Sequence, residues 1–234
     1  MMNPSRIIVA LDFPDEKSTL RFVEEQLSPE LCCLKIGKEL FTATGRHLVE
    51  KLIAQNYKVF LDLKYHDIPN TVASACRVAA DMGVFMIDMH CMGGHRMMET
   101  AANALAHYAY RPLLIGVTVL TSMEENDLSA IGMTGNLKDT VIRLAQMAQQ
   151  SGLDGTVSSA QEASLLREQL GKQWVLVTPG IRLQQTQDDQ RRVMTPQDAI
   201  RAGSHYLVIG RPITQSSHPM QILRQVYDDI QNVL

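Results

Sequence analysis

Short apolar runs, many of them β-branched, recur along this chain at intervals of about 20 to 30 residues. Each is followed by a stretch with helical spacing. The runs predict strands at Ile7–Asp12, Cys32–Gly37, Lys58–Lys64, Val84–His90, Leu113–Leu120, Gly155–Ser159, Trp174–Gly180 and Tyr206–Pro212. Most are nearly continuous in apolar residues, the pattern of parallel strands covered on both faces. Between them, Glu16–Leu27 repeats apolar residues at Leu20, Val23 and Leu27, and His47–Asn56 at Leu48, Leu52 and Ile53. Asn70–Met82 is expected to start with Asn70 as its cap and to bury Val72, Cys76 and Ala79. Further helices are expected at Gly94–Ala109, Leu137–Gln150 and Ala160–Leu170. Thr195 and Pro196 form a cap and first turn for a helix through Arg201, with Gly203 near its end, and Pro219–Val233 closes the chain.

Eight strand–helix units with no Pro/Gly/Ser-rich linker predict a single α/β domain over residues 1–234, a (β/α)8 barrel of the TIM type. A doubly wound open sheet is the competing architecture, but no GxGxxG follows the first strand. The length of 234 residues suits one such barrel, and a hydrophobic fraction of 45% is enough for a sizeable core.

Charge narrows the function classes. The net charge is −3, and the basic residues are scattered rather than gathered into a stripe, so no nucleic-acid surface is expected. No apolar run reaches the roughly 18 residues that span a bilayer. The opening MMNPSRIIVALD has no apolar signal segment, which predicts a cytoplasmic protein. Cys32, Cys33, Cys76 and Cys91 lack ligand spacing and are expected to be buried thiols. The adjacent pair Cys32–Cys33 would face opposite ways on a strand.

In barrels of this type, active sites lie at the C-terminal ends of the strands. Those positions are polar here. The first strand ends in Asp12, the second carries Lys35 before Gly37, and the third ends in Asp62 and Lys64. The fifth runs into Thr121 and Ser122. Strand alternation puts Asp62 and Lys64 on one face, an ion pair that is costly to desolvate. Asp67 adds a further charge in KVFLDLKYHDIPNT, Lys58 to Thr71. The seventh and eighth strands end in Pro179-Gly180-Ile181-Arg182 and Gly210-Arg211-Pro212. Glycines there let a backbone approach an anion, and Arg211 offers a planar cationic fork, which points to a phosphate. The long polar loop Leu183–Arg192 could fold over such a ligand or equally be a mobile surface loop. His66 and His90 are read as packing residues rather than bases.

Taken together, ALD (Ala10–Asp12), LKIGKELF (Leu34–Phe41), DLKYHDIPNT (Asp62–Thr71), TVLTSM (Thr118–Met123), TPGIR (Thr178–Arg182), DQRRVMTP (Asp189–Pro196) and IGRPIT (Ile209–Thr214) resemble the bacterial type of the orotidine 5′-phosphate decarboxylase family. The resemblance runs from about Ile7 to the C-terminal helix. It implies decarboxylation of orotidine 5′-phosphate to uridine 5′-phosphate, the last step of de novo UMP synthesis, with neither metal nor organic cofactor. A homodimer with shared sites is also implied. Under the resemblance, Asp12 and Lys35 bind ribose hydroxyls, and Asp62 and Lys64 stand at the reacting carbon. Asp67 and Thr71 reach into the partner's site, where Asp67 would complete an alternating row with Lys35, Asp62 and Lys64. Thr121 and Ser122 sit near the pyrimidine, Arg182 and Gln190 lie on a phosphate-closing loop, and Gly210 and Arg211 meet the phosphate. Cys91 and Met92 are bulkier than the small residues expected after the fourth strand.

Two other functions compete. A phosphosugar decarboxylase or aldolase shares DxKxxDI but would use a divalent metal and a carboxylate at the end of the second strand, where this chain has Lys35. A non-catalytic phosphosugar-binding barrel would keep Gly210 and Arg211 without needing Asp62 and Lys64.

Overall fold

A computed structural model describes residues 5–183 and 194–233. Eight parallel strands close on themselves in sequence order, β1 Ile7–Leu11, β2 Cys33–Gly37, β3 Val59–Tyr65, β4 Met86–His90, β5 Leu113–Val117, β6 Gly155–Val157, β7 Val175–Thr178 and β8 Tyr206–Ile209. The seam is sealed by β1 on β8, with Ile7, Ile8 and Val9 opposite Leu207, Val208 and Ile209. The closed (β/α)8 barrel sets aside the open doubly wound sheet.

Alternation along each strand divides the core into two layers. Ile8, Cys33, Phe60, Met86, Ile115 and Val177 fill the barrel interior. Ile7, Val9, Leu34, Leu61, Ile87, Leu176 and Leu207 face outward into a second layer roofed by the helices. This burial on both faces is why the strands read as unbroken apolar runs. Cys32 lies in the outer layer and Cys33 in the inner one, so the adjacent thiols do face apart. All four cysteines are buried and unpaired.

The roof comprises α1 Glu16–Gln26, α2 Lys38–Thr44, α3 Arg46–Ala54, α4 Pro69–Asp81, α5 His95–Leu105, α6 Glu125–Ala130, α7 Leu137–Gln150, α8 Ala160–Leu170, α9 Pro196–Arg201, α10 Arg211–Thr214 and α11 Pro219–Gln231. Local chemistry sets several starts. Thr195 accepts from the Asp198 backbone N–H at the head of α9, and Glu162 reaches back to accept from the Ser159 N–H at 2.9 Å at the head of α8. Asn70 is not a cap: α4 begins one residue earlier with Pro69, whose fixed φ suits the first turn, and Ile68 stands at the cap position without a side-chain bond. The eighth strand stops at Ile209 rather than Pro212, because Arg211–Thr214 turns into α10. The bulk of Cys91 is accommodated by Gly116 on β5, where an added Cβ would lie 2.6 Å from the Cys91 sulfur. None of the described helices is long and apolar enough to cross a membrane.

Candidate active site

The charged residues of the barrel mouth continue the interior face. Lys35 lies two residues beyond Cys33, Asp62 two beyond Phe60, and Asp88 two beyond Met86. Parity alone therefore aims these side chains over the apolar interior. A cavity of about 160 Å³ opens there, with Phe60, Val117, Val157 and Val177 at its apolar end and Lys35, Asp62, Lys64 and Thr121 on its polar side. A wider, more open hollow of about 360 Å³ shares Lys35, Asp62 and Lys64 and extends to Asp12 and Lys38. The opposite end of the barrel differs in kind. There Arg111 grips Asp154 through two hydrogen bonds of 2.6 and 2.8 Å, a tie between the starts of β5 and β6.

At the mouth, charges alternate. Lys35 Nζ lies 3.8 Å from Asp12 Oδ1 and 3.2 Å from Asp62 Oδ2. Lys64 Nζ donates to Asp62 Oδ1. Burial by itself would raise the Asp62 carboxyl, but Lys35, Asp88 and Lys64 together outweigh it and hold the group down to about 2. Burial likewise works against the Lys64 ammonium, and the surrounding carboxylates, Asp88 and Asp62 foremost, overcome it and raise its pKa. Both members of the pair are thus charged at neutral pH.

Lys64 does not reach this position by simple alternation. Its φ is 51°, in the left-handed region, and four residue steps of β3 from Leu61 to Tyr65 face only two of β4, from Ile87 to Met89. A side chain in that region costs about 1–2 kcal/mol, so the site holds its key cation in a strained backbone. The Lys64 N–H donates to Asp88 Oδ1 at 2.8 Å. Asp88 is wholly buried and did not stand out in the sequence. The available signal was a lone carboxylate inside the apolar run FMIDMH, on the next strand after DLK.

Other expected residues fall in three groups. Thr121 lines the cavity, whereas Ser122 is exposed in the loop after β5 and does not. Asp67 and Thr71 are exposed at the start of α4, and Asp67 accepts from the Ile68 N–H at 2.6 Å. Among the described residues, Asp67 makes no ion pair with Lys35 or Lys64. Gly180, with φ 78°, and Gly210 follow the neighbouring strands β7 and β8. An added Cβ on Gly210 would lie 3.5 Å from Asp12 Oδ2, so this turn borders the polar side of the mouth, and Arg211 follows it at the head of α10. Arg182 donates its backbone N–H to Met194 O at 3.1 Å, which joins the two stems of the loop after β7. Gln190 lies outside the described residues. His90 stacks near His66, with ring centres 5.5 Å apart, and burial, with His66 and nearby lysines, pushes it down to about 4. It is neutral near pH 7 and fits a packing role.

A model of the orotidine 5′-phosphate decarboxylase / HUMPS family matches residues 5–226 of this chain. The chain belongs to this family. A relative from Neisseria meningitidis serogroup A, named orotidine 5′-phosphate decarboxylase, is 64% identical over 222 residues, which span 94% of this chain and 90% of the relative. One of the same name from Hydrogenovibrio crunogenus is 57% identical over 222 residues, 94% of each. The crystal structure of orotidine 5′-phosphate decarboxylase from Lactobacillus acidophilus superposes with a TM-score of 0.87 at 34% identity, covering 97% of this chain and 99% of that one. Membership of the family agrees with the closed barrel.

Proposed function

We infer that this chain converts orotidine 5′-phosphate to uridine 5′-phosphate and carbon dioxide, a carboxy-lyase reaction of UMP biosynthesis. The observation that carries the reading is the row Lys35–Asp62–Lys64 at the barrel mouth beside an apolar cavity, with Lys35 and Asp62 buried and Lys64 partly exposed. The bond from the ring carbon to the carboxylate breaks, and its electron pair stays on that carbon. The Lys64 ammonium offsets this charge and then gives the carbon a proton, and the amine regains one from solvent. A preorganised charge works best where water is excluded, and Phe60, Val117, Val157 and Val177 supply such walls. Asp62 would also lie against the departing carboxylate, a like-charge contact relieved as carbon dioxide leaves, though stabilising the carbanion is the larger effect.

Asp12 and Lys35 hold the ribose hydroxyls, and Thr121 and Ser122 flank the pyrimidine. Gly210 and Arg211 meet the phosphate, with Gly180, Arg182 and Gln190 contributing from the loop after β7. Phosphate binding adds no chemistry, but its energy can be used to close loops and exclude water. Arg211→Ala should therefore lower kcat/KM at least tenfold, about 1.4 kcal/mol, in a steady-state assay. A change under about threefold would count against the phosphate assignment.

Asp67 and Thr71 serve the site of a second copy, so the working unit is a homodimer. Ile68 and Val78, exposed apolar residues at and along α4, support a partner surface beside Asp67. A cytoplasmic location suits the four unpaired, buried thiols.

The competing phosphosugar reading requires a divalent cation at the end of β2. Lys35 occupies that end, and its ammonium opposes a cation. Following the ultraviolet absorbance of orotidine 5′-phosphate with metal-free protein tests both readings at once. Full turnover with chelator present is expected. Activity that appears only with an added divalent metal, or none on this substrate, would reject the decarboxylase reading.

A further inference from the structure

The two extra residue steps that β3 takes between Leu61 and Tyr65 release Lys64 from the regular ladder with β4. A backbone N–H freed in a buried place must find another acceptor. Here the acceptor is the side chain of Asp88 on the facing strand, 2.8 Å from the Lys64 nitrogen. The other oxygen of the same carboxyl lies 3.8 Å from the Lys64 ammonium and has no hydrogen bond among the described residues. One wholly buried group thus meets both ends of one lysine.

We propose that Asp88 is a positioning residue for Lys64, holding its backbone in the left-handed conformation from which the ammonium meets Asp62 and the cavity. The inference rests on the assignment of Lys64 above. Asp88 is not required to touch substrate. Burial first, and then the Asp62 carboxylate, raise its pKa well above the usual carboxylate range. The part argued for Asp88 needs only the Oδ1 acceptor that faces the Lys64 N–H, not a negative charge. Asparagine has the same shape, offers an oxygen acceptor and is neutral, so it should substitute for the part Asp88 plays. Alanine and leucine should not.

The test compares Asp88→Asn, Asp88→Ala, Asp88→Leu and Lys64→Ala with the wild type. It measures kcat and KM on orotidine 5′-phosphate, and hydrogen exchange of the Lys64 amide. Asp88→Ala and Asp88→Leu are expected to lower kcat about 30-fold or more with KM within about threefold, and to lose protection of that amide. Asp88→Asn should keep the protection and return kcat at least about tenfold above Asp88→Ala. A folded alanine or leucine variant with kcat within about threefold of wild type overturns the proposal, as does an asparagine variant no better than alanine. If neither apolar variant folds, asparagine decides: a protected amide with substantial turnover upholds the role, and loss of either rejects it. Should Lys64→Ala stay active, the assignment of Lys64 fails, whereas the exchange of the Lys64 amide still reports on the Asp88 contact by itself.

Discussion

Lys64→Ala is expected to fold as the wild type does and to lose at least about a thousandfold in kcat, roughly 4 kcal/mol of transition-state stabilisation. The fold should survive because little depends on this ammonium for packing. Its side chain is 26% exposed at the mouth, and truncation leaves Asp62 still paired with Lys35 at 3.2 Å. Asp88 loses a 3.8 Å contact with the ammonium but keeps the backbone N–H of residue 64, so neither buried carboxyl is left without a partner, which is the usual reason that breaking an ion pair unfolds a protein. The backbone requirement is also unchanged, since alanine pays the same left-handed cost as lysine. Turnover has no such reserve. Lys35 is tied to Asp62 and Asp12 on the far side of the row, so it would not replace Lys64 beside the proposed carbanion. Circular dichroism, a melting curve and a progress curve check the result. Near-wild-type turnover in the folded variant would defeat the mechanism.

The second large effect is a gain. Chains carrying Lys64→Ala and chains carrying Asp67→Asn should each be nearly inactive, and mixing them should restore activity. In a hybrid dimer with shared sites, one site carries both lesions and the other carries neither. Random reassociation at equal amounts makes half the dimers hybrid, so about a quarter of wild-type activity is expected. Asp67 motivates this result by its place: it is exposed, and it is bonded to its own Ile68 N–H rather than to the lysines of its own site. Hybrids shown to form by differential tagging, yet without regained activity, would remove Asp67 from the partner's site.

Much of this architecture was legible because burial writes itself into strands. The run read as Leu113–Leu120 does hold a strand, Leu113–Val117, covered on both faces, though it ends three residues early, and α7 and α8 were found at their observed limits because each presents several buried positions at helical spacing. Three short helices escaped, although six-residue α9 was found through Thr195 and Pro196. In α2 only Leu40 is buried, in α6 only Leu128 and in α10 only Ile213, and one position has no period. The sites at strand ends were readable for Lys35 and Asp62, where regular alternation holds. Lys64 came out on the correct side for an incomplete reason. Lysine gives no hint of a left-handed backbone, as glycine or asparagine would. Asp88 was hidden by its surroundings, since a single carboxylate within an apolar strand resembles an interruption more than a part.

The irregular step at Lys64 bears on transplanting this chemistry. A designer who copied Asp-x-Lys onto a straight strand of another barrel would keep the letters and lose the arrangement, because the lysine would leave a regular strand in a different direction. What must travel is a pair of neighbouring strands of unequal local length, one with surplus residues and the other with a carboxyl to receive the stray amide. The smallest portable unit of this active site therefore spans β3 and β4 together, and no single peptide from this chain contains it.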